Sequence, residues 1–177
     1  MSANPPLEIE RVYLLRTVPE LPAHARPVRI EQGYLPEPAA EDIPGEGGFL
    51  EGRLRRRIDP EGRVRCVHTV KRGEGLVRTE VERELDEETF AALWPRTDGR
   101  RLTKTRYLVR EGERVFEVDV FDDFDLVLCE VELPSPDAEV VFPSWLASHV
   151  VRELTEDPRY RNYALATEGL PPDHALD

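Results

Sequence analysis

The sequence predicts a mainly β protein of the α+β class: an eight-stranded antiparallel β-barrel with short flanking helices and helices in its C-terminal part. Three observations predict it. Eight segments of strand-like composition are separated by short turn signals. Before the tail, a single segment reads as a convincing helix. Charged residues recur two apart on nearly every strand, with apolar residues on the opposite face.

The first strand, 7–16, sets Ile9, Tyr13 and Leu15 against Glu8, Glu10, Val12 and Leu14. Residues 18–27 are broken by proline and can hold at most one helical turn. A second strand follows at 28–35, and then 36–48, with three prolines and three glycines, reads as a loop. Strand 49–58 enters the turn signal 59–62, and 63–72 returns as the other arm of a hairpin. A Gly-Glu-Gly turn leads into strand 76–85. Asp86 then caps a helix over 86–95, Glu87 and Glu88 suit its positive end, and Pro95 stops it. Strands 100–110, 114–122 and 126–134 come next, and the tail 143–166 reads as two short helices divided near Asp157 and Pro158.

The chain of 177 residues, 40% hydrophobic, suffices for one domain over 1–177 with an ordered core at about 7–166. Charged residues make up 34%, and the net charge is -12. Such a chain repels a nucleic-acid backbone, while a small polyanion in a local basic pocket stays open. Cys66 and Cys129 form no CxxC spacing, and the four histidines form no metal or catalytic spacing. With no signal peptide and no apolar run long enough for a membrane span, a cytoplasmic protein is expected. Oligomeric state is not written in these features.

On each strand, residues two apart are same-face neighbours roughly 7 Å apart. The charges then sort by sign. Glu8 and Glu10 share one face of the first strand, and Arg53, Arg55 and Arg57 one face of the third. Arg65 and Lys71 lie on the fourth, Arg78, Glu80, Glu82 and Glu84 on the fifth, and Lys104 and Arg106 on the sixth. Glu117 and Asp119 follow on the seventh, and Glu130 and Glu132 on the eighth. An ordinary solvated face mixes signs, because like charges side by side destabilise a sheet. A barrel with a charged lumen fits this segregation, and so does an open sheet with one wet face. Carboxylates bind hard divalent cations, and arginine clusters bind phosphates. Together they match a metal-bound oligophosphate.

These residues resemble the CYTH superfamily, the triphosphate tunnel metalloenzymes. Residues 8–15 look like the ExExK signature, IEQGYL (30–35) like the second-strand pattern, and Arg53 and Arg55 like the RxR step. Lys71 matches the lysine strand, 78–82 the RxExE strand, 104–106 the KxR strand, and 118–121 the Asp-containing strand. Glu130 and Glu132 match the closing strand, and the tail resembles the C-terminal helices. The likeness runs from residue 7 to about 166.

The resemblance implies an eight-stranded tunnel that hydrolyses or cyclises triphosphate compounds with Mg²⁺ or Mn²⁺. Carried over, the metal side is Glu8, Glu10, Glu130 and Glu132, helped by Asp119 and Glu82. Glu8, Glu10 and Glu82 take the catalytic places. The phosphate side is Arg53, Arg55, Lys71, Arg78, Lys104 and Arg106. Arg57 and Glu80 share the charged face, supported by the face assignment more directly than by the motif. Val12 stands where the signature has lysine. The leading expectation is hydrolysis of inorganic triphosphate or a related small triphosphate. Thiamine triphosphate hydrolysis, class IV adenylyl cyclase chemistry, and a non-catalytic module that binds polyphosphate or a nucleotide are the alternatives, the last favoured by Val12.

Overall fold

The computed structural model describes residues 9–36, 52–72 and 79–176. Most of the expected 36–48 loop lies outside them. In chain order the strands are β1 (Ile9–Leu15), β2 (Arg26–Leu35), β3 (Gly52–Ile58), β4 (Val64–Arg72) and β5 (Thr79–Leu85). Then come α1 (Glu87–Leu93) with a 3₁₀ turn Trp94–Thr97, β6 (Arg101–Glu111), β7 (Arg114–Phe121) and β8 (Val127–Leu133). The tail holds α2 (Ser144–Ala147), β9 (Val150–Glu153), a 3₁₀ turn Pro158–Tyr160 and α3 (Asn162–Glu168). Asp86 caps α1 as expected, its side chain accepting from the Thr89 backbone N–H.

All strands join one antiparallel sheet in the order β5-β4-β3-β2-β6-β7-β8-β1-β9. The mainly β class holds, with two differences from the expected eight-stranded barrel. A ninth strand, β9, stands in the tail, where helix was expected. Its four residues are too few to show a period, and its partner β1 lies far back in the sequence. The second difference concerns closure. Among the described residues the sheet is not closed by pairing: β5 and β9 are its edges. The free edge of β1 is covered by the segment around β9, where the Leu154 N–H donates to the Val12 carbonyl at 2.7 Å and the Val12 N–H to Thr155 Oγ1 at 3.1 Å.

The ladders fix which side chains share a face. Glu10 lies opposite Glu132, Val12 opposite Glu130, and Leu14 opposite Leu128. Glu130 lies opposite Glu117 on β7, and Asp119 opposite Arg106 on β6. Beyond β6, Ile30 pairs with both Lys104 and Arg57, and Gln32 with Arg55. One face therefore carries all these charges.

The other face is largely apolar. Around Tyr13, Phe116, Val118 and Val131 it is covered by Leu146 of α2, and around Leu35 and Leu54 by Phe90 of α1. Each fully buried side chain of this kind contributes roughly 1.5–3 kcal/mol. A third apolar cluster sits at one end of the charged face. Leu14, Leu102, Phe121 and Leu128 meet Tyr160 and Leu165 from the tail, and Val12 packs against them. This explains the first strand: Glu10 belongs to the charged field, and Val12 and Leu14 to the plug that bounds it. The 3₁₀ turn after α1 also rests on β2 closely enough that a Cβ on Gly33 would meet Thr97 Oγ1 at 2.6 Å.

Candidate active site

The site begins with one guanidinium on β6. Arg106 Nε and Nη2 donate to the two oxygens of Asp119, both at 2.6 Å. Nη1 donates to Glu117 and Nη2 also to Glu130. Two residues along the same strand, the Lys104 ammonium donates to Asp119 at 2.5 Å and to Asn162 Oδ1 at 3.0 Å. Lys104 and Asp119 are both fully buried.

Burial alone pushes these groups toward their neutral forms. For Asp119 the neighbouring Lys104 and Arg106 outweigh it and hold the carboxyl below its usual range. For Arg106 the three carboxylates outweigh it and raise the guanidinium well above its ordinary value. Lys104 ends lower than usual, burial outweighing Asp119. Glu10 keeps solvent access at the start of β1 but lies deep among these side chains. Limited solvation, then repulsion from Glu130, push its carboxyl up to about 7. Glu117 is raised too, by burial first.

The basic half lies across β2. Arg55 Nε donates to Gln32 Oε1 at 2.9 Å, and Gln32 Nε2 donates to the Tyr34 hydroxyl at 2.7 Å. Arg53 reaches Thr69 at 3.3 Å and Glu82 at 4.0 Å. Burial, then Arg53 and Arg106, bring Arg55 down to about 10, so it stays cationic at neutral pH. Arg57 is lowered by burial and Arg106. Buried Nε donors of Arg53 and Arg57 have no hydrogen-bond partner. Unpartnered buried donors are costly, and three arginines in one row repel each other. An anion laid along the row answers both.

As placed, the described residues bring no three His, Cys, Asp or Glu side chains together as a metal cage. The donor chemistry still fits a hard divalent cation. Glu10, Glu130 and Glu132 are oxygen donors on neighbouring strands, with Glu10 directly opposite Glu132. Burial first and repulsion from Glu130 second raise Glu10, and a cation beside it would offset both. Asp119 differs from these three, because both its oxygens are taken by Lys104 and Arg106.

An inorganic triphosphatase from Nitrosomonas europaea is 40% identical over 164 residues, which span 90% of this chain and 96% of that protein. The chain belongs to the inorganic triphosphatase family. A solved structure of the inorganic triphosphatase NE1496 matches with a TM-score of 0.62 and 35% identity, covering 96% of this chain and 100% of that one. Another, described as the hypothetical protein NE1496, matches with a TM-score of 0.60 and 38% identity over 93% of this chain and 99% of that one. No protein-family model matches the chain.

For this inorganic triphosphatase family member, the structure gathers most of the expected charged residues on one face. Glu10, Asp119 and Glu130 surround Lys104 and Arg106, and Glu132 is exposed beside them. Arg53 and Arg55 form the basic row with Arg57. Glu82 is exposed and lies near Arg53 and Thr69. Lys71 and Glu80 are paired in register on β4 and β5. Glu8 and Arg78 lie outside the described residues. Sequence reasoning missed Gln32, Tyr34 and Asn162 as site residues. A period-two reading of β2 puts Gln32 and Tyr34 on the charged face, so that signal was available. Nothing local singles out Asn162.

Proposed function

We propose that this chain hydrolyses inorganic triphosphate or a closely related small triphosphate on its charged face. The observation that carries the reading is the row Arg53, Arg55 and Arg57, with two buried Nε donors lacking partners. It shares a face with the carboxylates around Glu10 and Glu130. That the 40% identical relative is named an inorganic triphosphatase supports the same reading. So does the resemblance of the strand motifs to the CYTH tunnel enzymes.

In this reading the arginine row binds and orients the triphosphate, its positive charge offsetting the charge that builds as a P–O bond breaks. Water attacks the terminal phosphorus, the bond to the bridging oxygen breaks, and phosphate and diphosphate leave. Asp119 holds Arg106 and Lys104 in place at the boundary between the halves. Glu10, Glu130 and Glu132, with Glu8, are the residues that would hold Mg²⁺ or Mn²⁺. Such an ion, when bound, supplies Lewis acidity toward phosphoryl oxygens.

Phosphate release from triphosphate, thiamine triphosphate and ATP, each with Mg²⁺, Mn²⁺ or EDTA, tests the proposal. Metal-dependent release from triphosphate above the other two is expected. Binding without release would turn the reading into a capture module, and full release in EDTA would remove the metal.

A further inference from the structure

Lys104 sits on β6, between the acidic strands β7 and β8 on one side and β2 and β3 on the other. Its ammonium has no exposed surface and is held from several directions. Asp119 accepts at 2.5 Å, Asn162 Oδ1 accepts at 3.0 Å, and the Phe121 ring lies 5.0 Å away. Asn162 comes from a different part of the chain, as the first residue of α3. Its neighbour Tyr163 packs edge-on against Tyr34 with ring centroids 5.1 Å apart. Tyr34 in turn belongs to the chain through Gln32 to Arg55. The start of α3 thus touches both halves of the site.

A buried ammonium needs its donors matched. Asp119 alone would draw Lys104 into a closed pair, since the carboxylate is the stronger acceptor. A second oxygen acceptor on another side holds the ammonium against that pull.

We propose that Asn162 is a positioning residue for triphosphate hydrolysis, its side-chain carbonyl fixing the Lys104 ammonium at the boundary between the carboxylates and the arginine row. The inference rests on the triphosphatase reading and deepens it.

The test is steady-state triphosphate hydrolysis by wild type, Asn162→Leu, Asn162→Ala and Asn162→Asp, with melting temperature as the fold control. Leucine keeps the volume and removes the acceptor, alanine removes both, and aspartate keeps an oxygen in the same place. Expected is a fall in kcat of about ten-fold for leucine and alanine, with KM changed less than about two-fold. For aspartate, kcat stays within about three-fold of wild type, because the acceptor remains. If Asn162→Leu does not fold, Asn162→Ala and Asn162→Asp give the same contrast. Wild-type kcat in the leucine or alanine variant overturns the inference, as does an aspartate variant no better than alanine. A wild type that does not hydrolyse triphosphate overturns this inference together with the function. Active wild type with unaffected variants overturns this inference alone.

Discussion

Arg106 and Asp119 face each other across the β6–β7 ladder and are joined by two hydrogen bonds of 2.6 Å. The same guanidinium also holds Glu117 and Glu130. With Lys104 it answers Asp119 fully, while burial first, and neighbouring carboxylates after it, leave Glu10 and Glu117 with raised carboxyl pKa values.

Removing Arg106 should be costly. Arg106→Met leaves buried Asp119 with Lys104 as its remaining cation and strips Glu130 of its partner. Breaking a buried ion cluster in this way costs about 3–5 kcal/mol. Urea unfolding of the variant against wild type reads this directly, and an unchanged midpoint would mean the cluster is loosely held in solution.

Glu10 should make stability fall with pH. Its folded carboxyl is raised from 4.5 to about 7, so the folded state holds this proton more tightly than the unfolded chain does. The cost is absent below the unfolded value, builds through this window and is complete above it. Asp119, held low, acts in the opposite sense: its contribution is present above its unfolded value and is lost as pH falls through the folded one. In metal-free buffer, Glu10→Gln should raise the urea midpoint at about pH 8 and leave it near wild type at about pH 4. Equal effects at both pH values would place Glu10 outside the cluster.

The arginine row should trade stability for affinity. Arg53→Ala and Arg57→Ala each relieve like-charge repulsion and remove an unpartnered buried Nε. Triphosphate binding should weaken by about 2–5 kcal/mol if the contact is desolvated. Melting temperature should hold or rise. Calorimetric titration and thermal melting of the two variants check both halves, and unchanged affinity would put the anion elsewhere.

Val12 lies opposite Glu130 and beside the apolar plug. A lysine there would extend its ammonium toward Glu10 and Glu130. Val12→Lys is therefore expected to turn over triphosphate faster than wild type with little change in binding, measured in single turnover at saturating metal. A slower variant would show that valine belongs to a site built around it.

The period of two along each strand determined much of this protein by itself. It put Glu10, Glu130 and Glu132 on one face with Arg53, Arg55 and Arg106, because side-chain direction on a strand is a local property. Turn chemistry bounded most strands, and Asp86 marked the start of α1. Tertiary structure decided the rest. Which carboxylate Arg106 holds depends on which strands become neighbours, and sequence order does not give β8 to β1 or β6 to β2. The short strand β9 pairs with the Tyr13–Leu15 end of β1, a partner far back in the sequence, and nothing local to residues 150–153 announces it. Asn162 reaches Lys104 only because the tail folds back over the charged face. A hydrogen bond across 58 residues has no local signature.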